Sequence, residues 1–162
     1  PMVYEEGKTP FILLLDRITD VRNFGAIART AECSGVNAIV IPTRGSASVN
    51  EDAIKTSAGA LHKITVCRED NLKDTLEFLR NSGIKIVGLS EKAEDYYFDQ
   101  DLSGPLALVL GAEDDGISPA YLKYIDSFVK IPMLGFIESL NVSVAGGIVM
   151  FEVAKQRIKA EL

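Results

Sequence analysis

The 162-residue chain has no tryptophan, a single histidine and two cysteines, and no excess of positive charge. Each scarcity removes a class of chemistry. His62 is the sole candidate base for a Ser-His-Asp triad, and no Gly-x-Ser-x-Gly turn accompanies it. It reads as a partly exposed residue at a strand entrance. Cys33 and Cys67 stand far apart without Cys-x-x-Cys spacing, so they supply neither a zinc cluster nor a redox pair and read as reduced, buried thiols. No metal site is expected. The longest apolar runs, such as 11–15 and 106–110, fall far short of a membrane span, and the first residues lack a basic, apolar signal region. A cytoplasmic protein with no membrane partner is the expectation. The net charge of −6 and pI of about 4.8 argue against polyanion binding by the whole surface.

What is present is ordinary for one globular domain: 47% hydrophobic and 25% charged residues, enough chain to bury a core without disulfides. The charge is unevenly spread. Residues 1–68 carry eight lysines and arginines against seven acids, and residues 69–162 carry nine against sixteen. A polyanion would meet the N-terminal half. Residues 1–10 are polar up to Pro10 and read as a linker remnant, and 11–162 as one domain, with a piece expected upstream.

Short apolar runs alternate with helical patterns, which implies an α/β fold around a parallel sheet. Strands are expected at 11–15, 38–41, 63–67, 84–89, 106–110 and 128–131. Helices are expected at 23–34, stopping at Gly35, from a Ser48-x-x-Glu51 capping box to Ser57, at 72–81, at 118–125 after a capping Ser118 and Pro119, and at 140–159. Residues 91–101 form an acidic, aromatic loop.

Three segments carry polar residues where strands give way to helices. In the first, Asp16 to Thr30, Asn23 sits at a helix mouth and Arg29 two turns on; capping by Asn23 and an Arg29–Glu32 pair at i+3 are the structural alternatives. The second, Leu106 to Ser118, contains Gly111-Ala-Glu-Asp-Asp-Gly116, which is neither a Gly-x-Gly-x-x-Gly nor a Walker loop. Its acids, Glu113 included, oppose a phosphate ligand there, so a neutral or cationic ligand suits it better. The third, Ile131 to Ala145, leads through Pro132 and Gly135 to Ser139, Asn141 and Ser143, for which capping is the alternative.

Together these segments, in order and spacing, resemble the three motifs of the SpoU (TrmH) family of RNA 2′-O-ribose methyltransferases, within the SPOUT superfamily. The resemblance covers about residues 11–158, and Lys55-Thr-Ser-Ala-Gly-Ala60 is similar to the branch acting on guanosine in 23S ribosomal RNA. It implies a Rossmann-like parallel-sheet domain with a C-terminal trefoil knot, S-adenosylmethionine as methyl donor among the knot loops, and a homodimer with the active site near the interface. By motif position, Arg29, Asn23, Glu113, Ser139 and Asn141 are the implied catalytic residues. Gly111, Ile131, Met133 and Leu140 are the implied donor-binding positions. Ala145-Gly146-Gly147 departs from the family's commoner alanines and should loosen the last helix slightly.

The implied activity is S-adenosylmethionine-dependent methylation of a ribose 2′-hydroxyl in RNA. Members of the ribosomal branch usually carry an N-terminal RNA-binding domain that this stretch lacks, so a catalytic domain is expected, with Arg17, Arg22, Arg44, Lys55 and Lys63 as phosphate contacts. The rival readings are a transfer RNA substrate and a catalytically silent knotted RNA-binding module.

Overall fold

Seven β-strands, all parallel to their neighbours, form one twisted sheet in a computed structural model that describes residues 8–112 and 115–162. In chain order they are β1 (Phe11–Asp16), β2 (Ala38–Pro42), β3 (Thr65–Glu69), β4 (Lys85–Leu89), β5 (Asp95–Tyr96), β6 (Leu106–Gly111) and β7 (Ser127–Lys130). Their order across the sheet is β3-β2-β1-β6-β4-β7-β5. The helices are α1 (Val21–Ser34), α2 (Glu51–Thr56), α3 (Leu72–Asn81) and α4 (Val142–Glu161).

The central strands are apolar along their whole length because helices cover both faces of the sheet. Successive side chains divide between two cores. Leu13, Leu15, Leu108 and Leu110 pack with Phe24 and Ile27 of α1 and Val149 and Val153 of α4. Leu14, Val109 and Ile86 pack with Leu72, Leu76 and Leu79 of α3 on the other face. The α4 helix approaches β6 and α1 closely because Gly146 and Gly147 have no side chain. A Cβ on Gly146 would stand 2.8 Å from Leu110 Cδ1, and one on Gly147 3.4 Å from Thr30 Cγ2. These glycines serve packing, where the sequence suggested only a looser helix.

Several local expectations are corrected. Asp20, not Asn23, caps α1, its carboxylate accepting from the amides of Arg22 and Asn23, so the helix begins at Val21 and Asn23 lies inside its first turn. Asn50, not Ser48, caps α2. Ser118 makes no capping bond, and Pro119–Tyr124 is a 3-10 helix. The acidic loop contains the edge strand β5, paired with β7. The last helix starts at Val142, so Ser139 and Leu140 precede it. Both cysteines are free, but Cys33 is exposed on α1, and only Cys67, at the sheet margin, is half-buried. His62 is exposed at the end of a 3-10 turn, Ala60–His62.

Thr9 and Pro10 are already tied to the domain. The Pro10 carbonyl accepts from the Leu106 amide at 3.0 Å, and Arg157 donates to the carbonyls of Thr9, Pro10 and Gly104. Burial without an acidic partner holds the Arg157 guanidinium below its ordinary value.

Candidate active site

The C-terminal ends of parallel strands leave a crevice where ligands bind in open α/β sheets, because the connecting loops diverge there. Here the ends of β4, β6 and β7 open into a groove of about 1640 Å³. Gly111 ends β6, and the chain turns back directly over it. The Ala112 carbonyl accepts from the Gly116 amide at 2.8 Å, and a Cβ on Gly111 would stand 2.2 Å from the Gly116 carbonyl carbon. Only glycine fits that approach.

The opposite wall is the segment leaving β7. Residues 132–140 make no hydrogen bond to any described residue, so their amides and carbonyls are open to solvent or to a ligand. Ile131, Met133, Ser139 and Leu140 line the groove together with Gly111 and Asn141. The four positions implied for donor binding are thus gathered in one place.

Asn141 ends this segment and caps α4, its Oδ1 accepting from the amides of Ser143 and Val144 at 2.9 and 3.4 Å and from the Ser143 hydroxyl. Its Nδ2 donates to Asn23 Oδ1 at 3.0 Å. That bond joins the first segment to the third. Arg29 lies further along α1, exposed, and neither lines the groove nor pairs with Glu32. Glu113 lies outside the described residues.

The basic residues divide. Arg22, Arg44, Lys55 and Lys63 are exposed and away from the groove. Arg17 is engaged: its Nε donates to Asp16 at 3.2 Å, Nη2 to the Gly116 carbonyl at 2.8 Å and Nη1 to Asp115 at 3.4 Å. Burial opposes its charge, but Asp16 and then Asp115 together outweigh it and hold the guanidinium above its ordinary value.

Sequence reasoning passed over Asp16. Its carboxylate is 2% exposed at the end of β1 and accepts from the Ser118 amide at 2.6 Å and the Ser118 hydroxyl at 3.3 Å. An acid closing the run Phe-Ile-Leu-Leu-Leu was the available signal. Also unanticipated is the exposure of Leu134 and Phe136, 96% and 92%, beside the groove. Among the described residues no cluster of three acids, histidines or cysteines could hold a metal ion, and no helix is long and apolar enough to cross a membrane.

The sequence pattern of the SpoU rRNA Methylase family matches residues 10–151. The chain is 40% identical over 157 residues to the 23S rRNA (guanosine-2′-O-)-methyltransferase RlmB of Yersinia pestis, covering 97% of this chain and 64% of that protein. This stretch therefore spans just under two-thirds of that relative's length. Among solved structures, the SpoU methyltransferase AviRb from Streptomyces viridochromogenes, in complex with the cofactor AdoMet, superposes with a TM-score of 0.85 at 31% identity, covering 94% of this chain and 62% of AviRb. The A. aeolicus TrmH/SpoU tRNA modifying enzyme superposes with a TM-score of 0.86 at 30% identity, covering 95% and 78%.

Proposed function

The chain belongs to the SpoU rRNA Methylase family, and from that premise we propose that it transfers a methyl group from S-adenosylmethionine to a ribose 2′-hydroxyl of a guanosine in 23S ribosomal RNA. The observation that carries the reading is one groove that gathers Gly111, Ile131, Met133 and Leu140, joined through Asn141 to Asn23 on α1. The curated relatives named for that activity supply the substrate.

The groove fits the donor chemically. Apolar side chains of Ile131, Met133 and Leu140 can enclose a purine and the aliphatic part of a methionine chain, while the unpaired backbone of 132–140 can meet polar edges at close range. When bound, S-adenosylmethionine supplies an electrophilic methyl on a sulfonium. The acidic character of the neighbouring loop favours that cation.

The protein's task is alignment of the ribose oxygen and stabilisation of the charge it develops. Asn141 lines the groove and its amide holds that of Asn23. Ser139 adds a hydroxyl to the same groove, and Glu113, by motif position, an acid. A guanidinium is a fork of donors with no acceptor, so Arg29 acts as an oriented cation: it grips the adjacent phosphate and stabilises the developing alkoxide, and the proton leaves to a phosphate oxygen or water.

Arg29 does not reach the groove of its own chain, which supports a homodimer in which the Arg29 of a second copy completes the site. Val144, Phe151 and Ile158 form an exposed apolar stripe at seven-residue spacing along α4, and Leu134 and Phe136 are exposed on the loop before it. Burial of that stripe against its copy is the proposed interface. The strand order supports a trefoil knot: β6 inserts between β1 and β4, β7 inserts between β4 and β5, and α4 then crosses to pack on α1. Residues 11–162 are the proposed catalytic domain of a cytoplasmic enzyme, with Arg22, Arg44, Lys55 and Lys63 meeting RNA phosphates.

Calorimetric titration with S-adenosylmethionine and its demethylated product tests the reading without RNA. One donor per subunit is expected. A folded dimer that binds neither would overturn it in favour of a silent RNA-binding module, and methylation mapped to transfer RNA would overturn the substrate.

A further inference from the structure

A buried carboxylate is stable only when its oxygens are well supplied with donors, and a non-glycine residue at positive φ persists only where its surroundings hold it. Asp16 and Arg17 satisfy both conditions side by side. Asp16 is 2% exposed and takes three hydrogen bonds, two from Ser118 and one from Arg17. Arg17 sits at φ 60° and sends its two terminal nitrogens to the Gly116 carbonyl and to Asp115. Apart from the bond between the two, all of these partners belong to the segment Asp115–Ser118, about a hundred residues away in sequence.

Their placement relative to the groove is specific. In the sheet Asp16 is level with Gly111. The segment that Asp16 and Arg17 hold is the one lying directly on Gly111, where no Cβ would fit. Asp115, Gly116 and Ile117 line the same groove as Gly111. The end of β1 therefore grips one wall of that groove without lining it.

We propose that Asp16 and Arg17 are positioning residues for the methyl donor, fixing the Asp115–Ser118 wall of its site, and that Arg17 serves in this clamp rather than as an RNA phosphate contact. The inference rests on the methyltransferase reading. A carboxylate, with two acceptor oxygens, can take the Ser118 amide and the Arg17 guanidinium together. The arginine fork spans the distance from that carboxylate to the Gly116 carbonyl, which an ammonium at one point cannot do.

Four proteins decide it: the wild type, Asp16→Asn, Arg17→Ala and Arg17→Lys, each measured for donor affinity by calorimetry, for donor KM and kcat in methylation, and for RNA affinity against salt. Loss of one charge-assisted bond corresponds to roughly tenfold in an equilibrium constant. Donor Kd and KM are expected to rise about tenfold in Arg17→Ala, with kcat at saturating donor within about twofold and the salt slope of RNA binding unchanged; Arg17→Lys should recover only part of the affinity. Arg17 is partly exposed, so its variants keep the test intact where Asp16→Asn fails to fold. Wild-type donor affinity in folded Arg17→Ala would overturn the clamp and leave the methyltransferase reading standing, as would a shallower salt slope with unchanged donor binding. A wild-type protein that binds no donor would overturn the methyltransferase reading itself, and this inference with it.

Discussion

Asn141 Nδ2 lies 3.0 Å from Asn23 Oδ1, a hydrogen bond between residues 118 positions apart in sequence. The same side chain caps α4 through its oxygen. One amide thus starts the helix with its oxygen and holds the first segment with its nitrogen. Asn141→Asp keeps the capping oxygen and loses the donor, so thermal stability should be nearly unchanged while single-turnover methylation falls at least about tenfold. Asn141→Ala should lose both, with a further stability cost of about 1 kcal/mol. Equal activity in Asn141→Asp and wild type would dissociate the bond from catalysis.

Arg29 is exposed and makes no ion pair with any described residue. Its replacement should therefore leave folding within about 0.5 kcal/mol, while removing a charge-stabilising donor costs about 100- to 1000-fold in rate. Arg29→Lys keeps the charge and loses the fork, and near-normal turnover in that variant would refute a geometric role for the guanidinium.

Two glycines make contrasting controls. A Cβ at Gly111 would meet backbone at 2.2 Å, whereas one at Gly146 meets the end of the Leu110 side chain at 2.8 Å. Backbone cannot turn aside as a leucine methyl can. Gly111→Ala should abolish saturable donor binding, and Gly146→Ala should cost about 1–3 kcal/mol by overpacking while retaining it. Calorimetry and thermal unfolding of the two variants separate these effects.

Val144, Phe151 and Ile158 are half or more exposed, at 51%, 50% and 61%. If they form the face between two copies, Phe151→Lys should convert a dimer into a monomer in sedimentation, with activity lost because Arg29 no longer reaches a neighbouring groove. A Phe151→Lys protein of wild-type size in solution would place the interface elsewhere.

Tyr121, beside the Asp16 clamp, has a phenol held above its ordinary value, first by burial and then by the charge of Asp16, with Arg17 opposing. The folded state therefore favours the neutral phenol. Its contribution to stability is present in full below about pH 10, the unfolded value, and is lost as pH rises through the raised folded value. Tyr121→Phe should flatten the alkaline fall in stability, and Asp16→Asn should bring phenolate absorbance on at lower pH. An unchanged alkaline limb in Tyr121→Phe would sink this assignment.

Much of the fold was legible because local patterns encode local structure. The apolar runs at 11–15 and 106–110 became central strands, and Gly35, at φ 90°, ends α1 where expected. β5 was illegible because its two residues, Asp95 and Tyr96, are exposed and form a strand only by pairing with β7. The capping residue of α1 was misassigned because Asp20 and Asn23 both suit a helix start, and only the backbone path shows which one precedes the first turn. Glycines 146 and 147 looked like a local weakness because helix propensity takes no account of the β6 and α1 side chains they approach.

The sequence by itself determined the alternation of strands and helices, the two-faced burial of the sheet, and the motif positions that carry the resemblance to RNA ribose methyltransferases. Only the tertiary structure decided that Asn23 meets Asn141, that Asp16 is buried against Ser118, that Arg17 is spent on Gly116 and Asp115, and that Arg29 stands apart from the groove. The reason is physical. Helical and strand periods are properties of short stretches, whereas these contacts arise where β6 inserts between β1 and β4 and α4 crosses onto α1, bringing together residues about a hundred positions apart.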